Sequence, residues 1–138
     1  MIKTVTPQRR LDNYGSGAFG APRGNRIHKG IDYACVPHSI VLSATIGTVS
    51  RVGWPYSPED PDKGHLRYVE VITPLGYQVR YMYIDALVSQ GDTVSRDQPL
   101  GIAQDLTEVY NGITPHIHVE VKKGAEYIDP EIYFGEMT

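Results

Sequence analysis

Pro115-His116-Ile117-His118-Val119-Glu120-Val121 is the stretch on which the fold turns. Ile117, Val119 and Val121 alternate with His116, His118 and Glu120. A period of two belongs to a β-strand with one apolar and one polar face. Outward from this strand the same pattern recurs. Residues 67–72 and 77–83 both alternate, and Pro74-Leu75-Gly76 between them suits a hairpin connection. Shorter strands are expected at residues 27–33, 40–44 and 47–54, and Gly91-Asp92 marks a turn within residues 88–101. Pro55-Tyr56-Ser57-Pro58-Glu59-Asp60-Pro61-Asp62-Lys63-Gly64 is a polar, proline-rich surface loop. Residues 129–134 suit a single closing turn of helix. No window of a dozen residues carries an amphipathic helical period. The expected fold is mainly β, a single domain of short antiparallel strands.

The 138 residues make one domain at roughly 150 residues per domain. An arm is expected at residues 1–18, a domain at 19–134 and a tail at 135–138. Hydrophobic residues at 41% and charged residues at 21% describe a chain that folds, with 14 glycines and 10 prolines spread along its length. The net charge of −3 and the lack of a basic block argue against nucleic acid as a partner. One cysteine, Cys35, rules out an internal disulfide framework. No apolar run reaches the roughly 18 residues of a membrane span. Met1-Ile2-Lys3-Thr4-Val5 lacks the apolar core of a classical signal peptide, so another route of export is expected.

The chemistry is concentrated in histidines. His116 and His118 stand two apart on a strand, so their side chains leave the same face roughly 6–7 Å apart. His28-Lys29-Gly30-Ile31-Asp32 offers an imidazole and a carboxylate, and as a strand it would place 28, 30 and 32 on one face with Gly30 leaving room between. Two imidazoles and a carboxylate are a catalytic-zinc ligand set, with a further histidine free to handle protons. Spacing leaves open whether His116 or His118 is the ligand. His38 and His65 read as surface residues, and Cys35 as an inert thiol.

These segments together resemble the lysostaphin/LytM-type zinc metallopeptidases, the M23 peptidase family. The resemblance rests on Phe19-Gly20 with Arg23, on His28 to Asp32, on Ala44 with Gly47-Thr48-Val49, on Gly91-Asp92-Thr93-Val94 with Gln98 and Leu100-Gly101, on Pro115 to Glu120, and on Asp129-Pro130 with Tyr133. It implies an antiparallel β-sheet groove of the duplicated hybrid type. It implies one zinc per chain held by His28, Asp32 and His118, at about 2.0–2.2 Å and with one open position. His116 would be the catalytic histidine, and the activity an endopeptidase cleaving peptidoglycan stems or cross-links.

Two departures stand out. Family members usually carry a second catalytic histidine in a Y-x-H-L segment, and Tyr81-Met82-Tyr83-Ile84 places Tyr83 there. A phenol is a poor general base, but it can donate a hydrogen bond to a developing oxyanion. Tyr83 is therefore a candidate catalytic residue, and also the reason for an alternative, a weakened or inactive wall-binding or structural module on the same fold. The loop at residues 103–114 also lacks the usual G-x-T-G turn, so an unusual substrate preference is expected. A compact chain of this kind resembles a phage endolysin or a virion-associated wall-cleaving protein. Its expected partner is peptidoglycan peptide, with virion or tail proteins as further candidates. It would act at the cell wall after lysis, virion delivery or other export.

Overall fold

In the computed structural model, Gly20, residues 22–23, 26–27 and 29–131, and Tyr133 are described. The expected arm at 1–18, the ligand candidate His28 and the tail at 135–138 lie outside the described residues. Among the described residues twelve strands follow in order: β1 (Pro22–Arg23), β2 (Arg26–Ile27), β3 (Ile31–Ala34), β4 (Ile40–Leu42), β5 (Gly47–Gly53), β6 (Tyr68–Ile72), β7 (Gln78–Met82), β8 (Ile84–Ala86), β9 (Thr93–Val94), β10 (Pro99–Ala103), β11 (His116–Lys123) and β12 (Glu126–Ile128). The loop after β10 carries a short 3₁₀ turn, Leu106–Glu108, capped by the Asp105 carboxylate. Tyr133 donates its N–H to the Asp129 carbonyl, closing the single helical turn expected there.

Every strand pair among the described residues is antiparallel. A seven-stranded sheet runs β12-β11-β7-β6-β5-β9, with β3 also on β11, and a three-stranded sheet runs β4-β10-β8. This is the mainly β, antiparallel architecture that the alternation predicts. Strand β11 is central because β3 pairs with its first half while β12 pairs with its second.

Alternation sorts the large sheet into two faces. Ile117, Val119 and Val121 of β11, Val79 and Tyr81 of β7, and Val69 and Val71 of β6 enter the core. Val41, Ile84, Leu100 and Ala103 of the small sheet join that core. Each such aliphatic side chain contributes roughly 1.5–3 kcal/mol when fully buried. The other face carries His116, His118, Glu120 and Lys122. A slip of one residue in β11 would exchange the two sets, so the valines lock the register that turns the histidines to the opposite face.

Two strand boundaries differ from the sequence expectation. Residues 27–33 are not one strand. The chain bends at Gly30, and β3 begins at Ile31. Gly30 and Asp32 therefore do not share a strand face, because Gly30 lies in the bend before β3. The strand expected at 77–83 ends at Met82, because Tyr83 adopts a left-handed backbone with φ of 73°. Simple alternation would have sent Tyr83 into the core beside Tyr81.

Candidate active site

Strand register brings the acidic and imidazole groups together. His118 lies directly opposite Asp32, and His116 opposite Ala34. On its other side His118 faces Met82. His118 Nδ1 is 2.8 Å from Asp32 Oδ1, and its Nε2 is 3.0 Å from Glu120 Oε1. All three side chains are largely buried. Burial pushes the imidazole pKa down, but the hydrogen bonds to Asp32 and Glu120 outweigh it and hold the pKa up at about 9. Without a cation the ring is therefore an imidazolium that donates to both carboxylates; a cation beside Asp32 would bind Nδ1 by displacing its proton, while Glu120 retains the proton on Nε2.

His116 is oriented differently. Its Nδ1 is 2.7 Å from the Thr114 carbonyl, which can only accept, so Nδ1 carries the proton. In the neutral ring Nε2 then holds the lone pair. Nε2 lies 3.6 Å from Asp32 Oδ2, inside the site. The two histidines of the pair therefore have different roles available: His118 presents Nδ1 beside the carboxylate, and His116 presents a basic Nε2.

An imidazole nitrogen and a carboxylate oxygen in contact, with a second carboxylate behind the ring, suit zinc. Asp32 and His118 are thus two of the three expected ligands brought together. His28, the third, lies outside the described residues, and among the described residues no group of three His, Cys, Asp or Glu side chains is arranged to hold a metal.

Gly30 has a specific part in this arrangement. A Cβ there would come 2.3 Å from the Val119 carbonyl oxygen and 2.9 Å from His118 Cε1 and Nε2. The room that glycine leaves is occupied by the His118 ring. Gly30→Ala is expected to destabilise the fold by about 1–3 kcal/mol through overpacking. It should also weaken metal binding, because the ring must move. Urea denaturation and metal titration of the variant check both effects, and an unchanged midpoint with unchanged metal affinity would contradict this role.

Tyr83 reaches the site from the wall opposite β3. Its ring meets the His116 ring edge-on, with centroids 5.8 Å apart and planes at 85°. Its hydroxyl is 3.3 Å from that of Tyr56, which is 3.3 Å from that of Tyr110. Burial, followed by the neighbouring Tyr56 hydroxyl, raises its pKa well above the usual phenol value. Tyr83 is therefore a neutral hydrogen-bond donor near neutral pH. Its left-handed backbone costs about 1–2 kcal/mol in a non-glycine residue. The Arg67 carbonyl accepts from the Tyr83 N–H at 2.7 Å, and the Tyr83 carbonyl accepts from the Gln104 N–H at 2.8 Å. The Gln104 side chain bonds the Arg67 N–H, the His65 carbonyl and Asp85, tying both sides of the bend together.

Several contributors were not singled out from sequence. Glu120 could have been found, since it follows His118 by two on the same strand face. Thr114, Gln104, Tyr56 and Tyr110 could not, because they come from loops whose path no local pattern encodes. Tyr56 belongs to the polar insertion and Tyr110 to the unusual 103–114 loop. With Leu66, Leu106 and Ile113 they form a second small core around Tyr83. His38 and His65 are exposed, as expected. Burial raises the Cys35 thiol to about 11, against the lowering effect of Ser39 and the Ile117 backbone, so it remains a thiol.

Comparison with known proteins follows the same direction. Over 131 residues the chain is 28% identical to leukocyte cell-derived chemotaxin-2 of Bos taurus, covering 95% of this chain and 82% of that protein. Its fold matches the catalytic domain of the antimicrobial peptidase lysostaphin from Staphylococcus simulans with a TM-score of 0.68, at 23% identity, covering 91% of this chain and 95% of that domain. The chain spans about half, 52%, of the longer lysostaphin chain. A zinc-containing peptidase from Vibrio cholerae matches with a TM-score of 0.61 at 25% identity, covering 88% of this chain and 35% of that one. Residues 26–130 match the family described as Peptidase family M23. With the match spanning most of the chain, and with the ordered groups of β3 and β11 at its centre, the chain belongs to peptidase family M23.

Proposed function

We propose that the protein is a zinc-dependent endopeptidase that hydrolyses peptide bonds in peptidoglycan stems or cross-links. The observation that carries this is the contact of His118 Nδ1 with Asp32 at 2.8 Å, beside His116 with its Nε2 turned into the same site. His28 completes the ligand set by family resemblance. Held by Asp32 and His118 with His28, a zinc ion would supply Lewis-acid polarisation of the scissile carbonyl and of the attacking water. His116 Nε2 takes a proton from that water and returns it to the leaving amine. Tyr83 donates toward the oxygen on which charge develops. The likeness to lysostaphin, an antimicrobial peptidase, and to the zinc-containing peptidase of Vibrio cholerae supports this assignment. The inferred place of action is the bacterial cell wall. Among the described residues no helix is long and apolar enough to cross a membrane.

A second function has its own observation. Tyr83 replaces the usual histidine and is built into a tyrosine cluster, and one relative of similar length is named a chemotaxin, not a peptidase. The same fold would then serve as a binding module.

Elemental analysis of the purified protein, run beside peptide release from purified cell-wall sacculi, separates the two. One zinc per chain is expected, with release that stops under chelation and returns with added zinc. Stoichiometric zinc without release favours the binding module. Failure of Asp32→Ala or His118→Ala to reduce zinc content would refute the ligand assignment.

A further inference from the structure

Beyond His118 the groove floor continues into a second polar surface. Glu120 of β11, Arg80 of β7, Glu70 of β6 and Arg51 of β5 lie opposite one another across four strands. In the next row Lys122 faces Gln78 on one side and Tyr127 of β12 on the other. These residues line a cleft of about 250 Å³.

Charges alternating across strands are common on a solvated sheet face. Here the distribution of partners leaves an imbalance. Glu120 is engaged by His118 Nε2 at 3.0 Å. Glu70 Oε2 accepts from Arg80 at 2.9 Å, and its Oε1 accepts from Ser50 Oγ at 2.9 Å. The Arg80 guanidinium also lies over the Tyr68 ring, 4.2 Å from its centroid. Both acids of the cleft are thus hydrogen-bonded from within, and its three cations, Arg51, Arg80 and Lys122, outnumber its two carboxylates, Glu70 and Glu120. Arg51 and Lys122 have no hydrogen-bonded carboxylate among the described residues. Lys122 shares the Tyr127 ring with Lys29, whose ammonium groups lie 5.4 and 4.9 Å from its centroid. One wall of the cleft therefore offers Arg51, and the other offers Lys122.

The cleft is placed to serve the candidate active site. Glu120 is roughly 7 Å and Lys122 roughly 13 Å along β11 from His118. An extended peptide covers that distance in about two to four residues. We propose that this cleft is a carboxylate subsite, which binds a free carboxylate on an extended peptide lying over Asp32 and His118. The carboxylate would pair with Lys122 and Arg51 while Tyr127 covers one side of the chain. This rests on the peptidase assignment above for its purpose, but its binding chemistry can be measured without turnover.

The test uses the full chain carrying His116→Ala, so that no probe is consumed. Three fluorescein-labelled probes are compared by anisotropy: penta-alanine with a free C-terminus, its C-terminal amide, and tetra-alanyl-glutamate as the C-terminal amide. The free acid or the glutamate amide should bind about 3- to 10-fold more tightly than the neutral amide, as expected of two partly exposed ion pairs. Which of the two is preferred identifies an α-carboxylate or a side-chain carboxylate as the source. The preference should fall below about twofold in Arg51→Gln/Lys122→Gln and in 0.5 M NaCl. Equal binding of all three probes, no binding of either acidic probe, or a preference retained in the double variant would overturn the subsite. Should the double variant fold poorly, Arg51→Gln alone, at an exposed position, must still reduce the preference. Absence of sacculus cleavage by the unmodified protein would count against the peptidase assignment and leave the carboxylate preference standing.

Discussion

Replacement of His116 by alanine is expected to slow hydrolysis of a defined wall peptide by about 10²–10⁴-fold while leaving zinc content unchanged. The separation of these effects follows from the two rings. His118 contacts Asp32 through Nδ1 at 2.8 Å, whereas His116 Nε2 stands 3.6 Å from the other carboxylate oxygen. Because the Thr114 carbonyl fixes the proton of His116 on Nδ1, Nε2 is the basic atom. Alanine removes that base and leaves the Asp32–His118 pair in place. Single-turnover kinetics with metal analysis of the same sample provide the check. Loss of zinc with the side chain, or full activity without it, would show that His116 has another role.

Tyr83→Phe is expected to lower the rate constant by about 10-fold to 10³-fold with little change in substrate affinity. The phenol is neutral, since burial and the Tyr56 hydroxyl hold its pKa well above the ordinary value. A neutral donor acts mainly as charge builds on the reacting oxygen, so its removal appears in turnover more than in binding. The phenylalanine ring retains the edge-on contact with His116, which isolates the hydroxyl as the variable. Tyr83→His, measured on the same peptide, supplies the second arm. Equal rates for Tyr83 and Phe would remove the hydroxyl from catalysis. Cleavage by the histidine variant alone would identify the natural protein as a binding module on a peptidase fold.

Much of the framework is legible without coordinates. The alternation of Ile117, Val119 and Val121 with His116, His118 and Glu120 specifies β11 and its two faces, because a strand's side-chain period is two and only one face can be buried. The same rule yields β6 and β7 and the groove floor between them. Asp32 and His118 stand out as chemical types, but 86 residues separate them in sequence. Their contact exists only because β3 pairs with β11 in a register that sets them opposite.

Gly30 and Tyr83 show where local pattern stops. Gly30 interrupts the strand expected around it, and its bare Cα matters because the His118 ring, from a distant strand, fills the space. Tyr83 follows Tyr77, Val79 and Tyr81 in the alternation and would continue their face, yet a left-handed backbone turns it toward His116. That conformation is unfavourable by itself and is held by Arg67 and Gln104, with Tyr56 and Tyr110 around the ring. Sequence by itself determined the long strands β6, β7 and β11, their buried faces and the chemical types in the groove, because these depend on neighbours two residues apart. Only the tertiary structure decided which nitrogen of each histidine faces Asp32 and how the tyrosine wall forms, because those depend on hydrogen bonds and packing between segments far apart in the chain.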